Sequence, residues 1–241
     1  MEYSGGRFYK LEKELIMTKF ILTTIILFLF LRASAQKEIS FYFDENGNQL
    51  EPQEVRKILK TEELTTVWDR FSKDSGYVRI IKPNKYQIGK ITATELKLEI
   101  EKVTGKQFND STIFLLEYNY LDDLCSKSSS NIWRKGKIYK RKSFQKPIRK
   151  TLNKEYKNLV YLNFFEKGII LNNSPKARNE YFYSDKYNSL RELVFKDPTL
   201  CGSFAIIKPN GQILVRNGEY RADYMAQHLN PENWNLFFIK E

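Results

Sequence analysis

The chain has 241 residues, of which 15% are aromatic and 29% are charged, and its formal net charge at pH 7 is +11. This length suits one medium-sized domain with a small extension, and the aromatic content excludes a disordered or low-complexity chain. A strongly basic balance favours anionic partners but does not determine the fold.

The first 35 residues carry the pattern of a secretory signal peptide behind a false start. Lys19 forms a short basic region, residues 20–31 are apolar apart from two threonines, and Ala33-Ser34-Ala35 is a small-x-small cleavage site before Gln36. The apolar run is shorter than the ~20 residues needed to cross a bilayer. We therefore expect cleavage before Gln36 and a mature protein that is secreted or periplasmic.

This interpretation divides the N-terminus into two parts. We expect residues 1–16 to be an upstream-start artefact and residues 17–35 to be the signal peptide. An uncleaved N-terminal membrane anchor is the alternative, because Arg32 lies close to the cleavage site. No transmembrane span is expected in the mature chain.

The following residues predict a β/α extension. Residues 39–43 are rich in β-branched and aromatic side chains and are followed by the turn-forming residues 44–48. From residue 52 to about 71 apolar side chains recur every three or four positions, which predicts a helix. The other predicted elements of this part are a hairpin of strands 77–81 and 86–91, turned by residues 82–84, and a helix over 94–103 that stops at Gly105.

After residue 111 the chain changes character. Residues 113–118 and 160–165 are almost entirely apolar, which is typical of strands buried on both faces of a parallel sheet. The other predicted elements are a polar loop over 122–131, a helix from Pro147 to about 158, a loop over 167–180, a helix over 187–195, a hairpin of strands 204–207 and 213–215, a helix over 221–229 and a last short helix over 231–238. This order predicts a mixed sheet with helices on both faces.

Cys125 and Cys201 are the two cysteines of the chain. In a secreted protein an even pair is by default a disulfide candidate. Because 76 residues separate them, the bond would remove roughly 4 kcal/mol of chain entropy from the unfolded state. A structural bridge and two separate buried thiols both remain open on this pattern alone.

From residue 77 to about 230 the chain resembles the thioredoxin fold. Phe114-Leu115-Leu116-Glu117-Tyr118 followed by Cys125 resembles the strand and active-site turn of that family, and residues 202–211 resemble its Pro-Thr-Thr-Phe-Leu-Ile-Asp-x-Asp-Gly hairpin. The helix from Arg221 resembles the C-terminal cover, and the 77–91 hairpin resembles the extra strands of the peroxiredoxin-like branch. Residues 41–48 also resemble the start of uncharacterised secreted proteins common in Bacteroidota.

The resemblance implies an α/β fold, a thioredoxin-like mixed sheet flanked by helices. We expect this domain to cover residues 77–241 and the β/α extension to cover residues 36–76.

The cysteine chemistry of that family is only partly present. Thioredoxins use Cys-x-x-Cys, in which the second thiol resolves the mixed disulfide formed by the first, whereas this chain reads Cys125-Ser126-Lys127-Ser128. The family's cis-proline, which shapes the substrate groove, corresponds to Gly202, and residues 119–124 lack the Pro and Thr of peroxiredoxins. Asp122 and Asp123 beside Cys125 are expected to raise the thiol pKa.

The same alignment places Cys201 just before the cis-proline position, which in this fold lies against the first active-site cysteine. The resemblance therefore implies that Cys125 and Cys201 are neighbours that can bond. We expect a structural bridge, and the alternative is a catalytic pair with Cys125 as nucleophile and Cys201 as resolving thiol.

Between Asp123 and Glu155 the sequence has basic residues but no acidic one. Aromatic side chains interleave with them, so the segment over 127–154 suits an anionic surface. The candidate anion-binding residues are Arg134, Lys135, Lys137, Lys140, Arg141 and Lys142. A solvated loop and helix face is the simpler interpretation and the one we expect, because no nucleic-acid motif accompanies the charge.

The remaining side chains point to no further chemistry. His228, the only histidine, is expected in the core or on a helix face, and no metal-ligand spacing or phosphate-binding glycine loop occurs. No cofactor is predicted. We expect a disulfide-stabilised, non-catalytic binding or envelope-associated module, with envelope proteins or anionic surface polymers as partners and no nucleic acid. The alternatives are a divergent thiol-disulfide oxidoreductase and a polyanion-binding protein.

Overall fold

The computed structural model describes residues 39–62, 64–125 and 131–238, together with Met17 and Lys19. The chain divides into one unit over residues 1–38 and a compact unit over residues 39–241. The cleavage site and most of the predicted signal peptide lie outside the described residues, and the fold given below is that of the second unit.

The described elements follow the chain in this order: β1 Ile39–Phe43, β2 Gln49–Leu50, α1 Pro52–Thr61, β3 Thr66–Ser72, β4 Gly76–Lys82, β5 Tyr86–Lys90, α2 Ala93–Thr104, β6 Ile113–Asn119, β7 Ile132–Trp133, α3 Lys135–Glu155, β8 Leu159–Glu166, β9 Ile170–Leu171, β10 Phe182–Asp185, α4 Ser189–Leu193, β11 Ser203–Ile207, β12 Gln212–Asn217, α5 Ala222–Gln227 and α6 Pro231–Trp234. None of these helices is both long enough and apolar enough to cross a bilayer.

The larger sheet has six strands in the order β10-β8-β6-β11-β12-β5. β6 and β8 are parallel and are connected by α3, whereas β11 runs antiparallel to β6 and forms a hairpin with β12. This βαβ unit, followed by an antiparallel hairpin and α5, is the arrangement of the thioredoxin-like fold. The predicted α/β class is therefore confirmed, with β10 and β5 added at the two edges.

The smaller sheet has the order β2-β1-β4-β3, and it corrects two predictions. The helix predicted over residues 52–71 ends at Thr61, and residues 66–72 form β3, because their β-branched and aromatic side chains pair with β4. The hairpin predicted over residues 77–91 is wrong. β4 pairs with β1 and β3, and β5 pairs with β12, so the turn at Pro83 carries the chain from one sheet to the other.

The helix predicted to begin at Pro147 begins at Lys135 instead, and Pro147 lies inside it. A proline in a helix interior costs about 3 kcal/mol, but Ile138, Gln145 and Leu152 form one buried stripe at seven-residue spacing on both sides of it. Packing of this stripe on the sheet therefore overrides the local cost.

Several smaller elements also differ from the predictions. The loop predicted over 167–180 contains β9, strand β10 was not predicted, and the last three predicted helices are shorter than expected. The two nearly continuous apolar runs are confirmed as strands β6 and β8. They form the centre of the core, where Leu115, Leu116 and Phe164 are fully buried.

Candidate functional site

Cys125 and Cys201 form a disulfide, and their Cα atoms lie 4.9 Å apart. Cys125 follows β6 and Cys201 precedes β11, and because these two strands pair antiparallel, both loops leave the same edge of the sheet. Cys125 is exposed and Cys201 is half-buried. The bond implied by the resemblance is confirmed, and one of its sulfur-bearing residues faces solvent.

A buried carboxyl group connects the two cysteine loops. Asp123 is 5% exposed, and its Oδ1 accepts the backbone N–H of Cys125 at 2.9 Å and that of Cys201 at 3.2 Å. Burial raises the pKa of Asp123, and the N–H groups of Cys201, Cys125 and Gly202 oppose that rise. The sequence identified Asp123 only as a charge near a thiol, whereas in the fold it bridges both sides of the disulfide.

Asp122 has a different role in the same loop. It adopts a left-handed backbone with φ of 58°, and its carboxylate accepts the side-chain amide of Asn131 at 2.7 Å. The amide oxygen of Asn131 accepts the backbone N–H of Asp122 at 2.8 Å in return. These two bonds close the base of the loop whose residues 126–130 lie outside the described part of the chain.

The backbone at Cys201 and Gly202 is left-handed at both residues, with φ of 67° and 79°. A Cβ atom at Gly202 would lie 2.5 Å from the carbonyl oxygen of Tyr118, so only glycine fits there. No peptide bond of the described residues is cis. The position that corresponds to the family's cis-proline is thus a left-handed turn in close contact with β6.

Neutral hydroxyl groups fill the space behind this turn. The Tyr120 hydroxyl donates to Ser203 Oγ at 3.0 Å, and the Ser203 hydroxyl donates to Asn217 Oδ1 at 3.0 Å. Thr199 Oγ1 donates to the Gly202 carbonyl at 3.2 Å and accepts the Gly218 N–H at 2.8 Å. The Cys201 loop is therefore fixed from within by a buried network that carries no charge.

The smaller sheet contacts the same loop from outside. The backbone N–H of Leu200 donates to the carbonyl oxygen of Val67 in β3 at 2.8 Å. The ring of Trp68 meets that of Tyr120 edge to face, with centroids 5.9 Å apart. The chain segment just before Cys201 is thus hydrogen-bonded to the edge strand of the N-terminal sheet.

A cavity of about 640 Å³ lies between the two sheets and borders the cysteine loops. Its lining includes Trp68, Arg70, Lys82, Asp122, Glu166, Arg191 and Pro198. Glu166 accepts from Arg191 at 3.2 Å and from the backbone N–H of Leu121 at 2.8 Å. Burial lowers the pKa of Lys82. The volume lies within the range of small-ligand pockets, whereas the charged lining is more polar than such pockets usually have.

The candidate anion-binding residues do not form one surface. Arg134, Lys135 and Lys140 are exposed. Arg141 instead reaches Glu117 at 3.3 Å, Lys142 reaches Glu180 at 2.6 Å, and Lys137 lies 4.3 Å from the centre of the Trp133 ring. These last three residues are half-exposed and contact neighbouring side chains, and Lys127 lies outside the described residues.

Glu117 is a buried site that sequence reasoning missed. It is 2% exposed in the central strand β6, and the side-chain amides of Gln145 and Asn163 donate to it alongside Arg141. Burial, with the Glu117 charge next in size, raises the pKa of Tyr161 well above its ordinary value. The available signal was a single acidic residue within an otherwise apolar strand.

His228 is a core residue, as expected. It is 4% exposed, and its Nδ1–H donates to the Tyr224 carbonyl at 2.9 Å while Nε2 lies 3.2 Å from the Tyr86 hydroxyl. Burial lowers its pKa. In the described part of the chain no group of three or more histidine, cysteine or acidic side chains is arranged to hold a metal ion.

Comparison with known proteins gives similarity in fold only. No protein-family model matches the chain, and no curated protein matches it. Among solved structures, it is similar to the exposed lipoprotein thioredoxin of Streptococcus pneumoniae, with 14% identity over 68% of this chain and 97% of that chain and a TM-score of 0.33.

Two further structures show the same level of similarity. The chain is 12% identical to DsbF of MTB over 48% of this chain and 78% of that chain, with a TM-score of 0.31. It is 10% identical to the N-terminal domain of PilB from Neisseria gonorrhoeae over 54% of this chain and 86% of that chain, with a TM-score of 0.32. The thioredoxin-like fold assigned here follows from the strand order and connections of the larger sheet.

Proposed function

We propose that the protein is a secreted, non-catalytic binding module in which the Cys125–Cys201 disulfide is a structural crosslink. The carrying observation is the Asp123 carboxyl group, which accepts the backbone N–H of both cysteines. These bonds do not require the sulfur–sulfur bond, so they keep the two thiols adjacent after reduction. Adjacent thiols reoxidise readily, which favours a disulfide that is difficult to reduce.

The contact between Leu200 and Val67 supports the same proposal. An extended peptide substrate would bind beside Cys201 by pairing with free backbone groups, as in strand addition. The Leu200 N–H is already used by β3. We therefore expect the smaller sheet to compete with an exchanging polypeptide for this segment.

The cavity between the sheets gives such a module a place to bind a ligand. Asp122 and Pro198, which line it, lie in the two cysteine loops. A crosslink between these loops fixes part of the cavity wall and reduces the entropy lost when a ligand binds.

A second candidate function, thiol-disulfide exchange, is favoured by one observation. Cys125 is exposed, and exposed disulfides are more often labile or catalytic than buried ones. In that case Cys125 would be the sulfur attacked by an incoming thiolate and Cys201 the leaving thiol.

The two candidates differ in reduction potential and in turnover. Equilibration of the exported protein in dithiothreitol buffers, followed by thiol labelling, should give a potential below about −300 mV. Cys201→Ser should lower the free energy of unfolding by about 2–5 kcal/mol. Asp123→Ala should raise the potential, and Asp122→Ala, a neighbouring exposed carboxylate, should change it less.

The opposite results would establish exchange instead. A potential near those of thioredoxin or disulfide isomerase, about −270 to −180 mV, together with insulin reduction that Cys125→Ser abolishes, would overturn the crosslink proposal. Two free thiols in the exported protein would contradict both candidates.

A further inference from the structure

The exposed charged side chains of α3 are basic up to Glu155 at its end. The helix has 21 residues and is therefore about 30 Å long. Its exposed basic side chains are Lys135, Lys140, Lys146, Lys150 and Lys154, and the exposed Arg134 precedes its first residue. Helical spacing places Lys140, Lys150 and Lys154 opposite the buried stripe of Ile138, Gln145 and Leu152, and Lys135 and Lys146 at the side of that stripe.

This charge is not neutralised locally. The acidic residue of α3 is its last, Glu155. The two acidic side chains that the helix does engage, Glu117 and Glu180, pair with the inward-facing Arg141 and Lys142. None of the five exposed lysines forms an ion pair with any residue that the structure describes.

Large aromatic side chains accompany the basic face. By helical spacing Tyr139 lies among the lysines and Phe144 lies beside them; Tyr139 is 72% exposed and Phe144 is 64% exposed, and the cationic group of Arg141 lies 5.6 Å from the Phe144 ring centre. Just before α3, Ile132 of β7 pairs with Ile170 of β9, and both are more than half exposed. Exposed apolar side chains therefore occur both on the cationic face and just before the helix.

Lysines combined with exposed aromatic and aliphatic side chains fit one kind of partner best. A soluble anionic polymer needs the charges alone, whereas at a bilayer surface the lysines meet lipid phosphates and the aromatic rings enter the headgroup region. Each lysine near an anionic leaflet contributes about 1 kcal/mol.

We infer that the outer face of α3 is a docking surface for an anionic lipid bilayer. This inference rests on the proposed binding function, for which it names a class of partner. It does not involve Cys125 or Cys201. Arg141 and Lys142 pair with Glu117 and Glu180 on the inner side of the helix. The outer face of α3 would therefore bind the bilayer without a change in the position of the helix.

The test is binding of the mature, oxidised protein to vesicles. It should cosediment with vesicles of phosphatidylglycerol and phosphatidylcholine in equal parts, fail to bind pure phosphatidylcholine, and dissociate as salt is raised. Replacing Lys140, Lys146, Lys150 and Lys154 with Gln should lower the partition coefficient about tenfold or more. The matched control replaces four other exposed lysines, Lys57, Lys60, Lys73 and Lys90, with the same change in net charge, and it should retain most of the binding.

A second variant separates lipid from polymer. Tyr139→Ser with Phe144→Ser should weaken vesicle binding and leave binding to heparin unchanged. Equal losses in the two lysine variants would overturn the inference in favour of non-specific attraction. Full vesicle binding by the aromatic variant, with heparin competing for the same lysines, would replace the bilayer with a polyanion. Either failure leaves the reduction potential unchanged and hence the crosslink proposal untouched.

Discussion

The two faces of the larger sheet bury different kinds of polar group. On the face that packs against α3, Phe204 of β11 lies between Glu117 of β6 and Arg216 of β12. This face therefore carries charged side chains. In the next row, Tyr118 and Ser203 are neighbours on the other face, where hydroxyl, amide and backbone groups are bonded to one another and to the carboxyl group of Asp185. A buried carboxylate requires hydrogen-bond donors. Glu117 on the charged face receives a basic side chain from α3, whereas Asp185 on the second face, called the hydroxyl face below, receives a hydroxyl and a backbone N–H.

The buried carboxylates determine which basic side chains of α3 face solvent. Arg141 is committed to Glu117, and Lys142 is committed to Glu180. Burial alone would raise the pKa of Glu180, but Lys142 and the N–H groups of Phe182 and Tyr181 bring it below its ordinary value. Charge in this helix is thus divided between holding the fold and facing solvent.

The largest expected effect tests how tightly the hydroxyl face is packed. Gly202→Ala should lower the free energy of unfolding by about 2–4 kcal/mol, because the new Cβ atom meets the Tyr118 carbonyl oxygen in a left-handed backbone. Gly105→Ala is the matched control. Its φ is 67° but nothing lies within 4 Å of the added atom, so it should cost about 1 kcal/mol. If both variants lose the same unfolding free energy in urea, the left-handed backbone alone would explain the cost at Gly202, and the contact with the Tyr118 carbonyl would add nothing.

The next prediction compares neighbouring residues on the two faces. Glu117→Gln should cost about 2–3 kcal/mol, because it removes a charged acceptor shared by Gln145, Asn163 and Arg141. Tyr118→Phe, which removes a 3.0 Å bond to Asp185, should cost about 1 kcal/mol. If the two variants lose the same stability in chemical denaturation, the distinction between a charged face and a hydroxyl face fails.

The smallest effect is an opposite response of two buried titratable groups, His228 and Asp185, to pH. Burial, aided by the charge of Arg216, lowers the pKa of His228 from its ordinary 6.5. Its stabilising contribution is full above 6.5 and is lost as the pH falls through the folded value. Burial raises the pKa of Asp185 from its ordinary 3.8, so its contribution is full below 3.8 and is lost as the pH rises through the folded value.

Unfolding free energies measured across a pH series check these signs. His228→Gln should flatten the loss of stability on acidification below about pH 6.5, and Asp185→Asn should flatten the gain at lower pH. Unchanged pH profiles in both variants would show that other groups control the response.

The centre of the fold was predictable because its pattern is local. The apolar runs of β6 and β8 and the turn at Pro209-Asn210-Gly211 carry their structure in adjacent residues. The apolar spacing of β3 fits the end of a helix as well as a strand. Only the pairing of β3 with β4 decides between helix and strand. Pro147 was predicted to begin a helix, because a proline favours the first turn. Its place inside α3 depends on the packing of Ile138, Gln145 and Leu152 on the sheet, which the local sequence does not show.

The sequence allowed the Cys125–Cys201 pair to be predicted, but not the hydrogen bonds and burial around it. The resemblance placed Cys201 beside Cys125, and the bond is present. The bridging role of Asp123 depends on two loops that are distant in sequence, and no local pattern reports it. The three side-chain donors to Glu117 likewise come from two elements, α3 and β8, that are distant in sequence from β6.

The hydrogen bond between Leu200 and Val67 also bears on solubility. β3 is an edge strand of the smaller sheet, and its Phe71 is 62% exposed. An uncovered edge of this kind is a template for pairing between molecules. The Leu200 segment covers this edge, and Asp123 and the buried hydroxyl network hold the segment without the sulfur–sulfur bond. The edge should therefore stay covered after reduction, and light scattering should find the reduced protein no more self-associated than the oxidised protein at the same concentration.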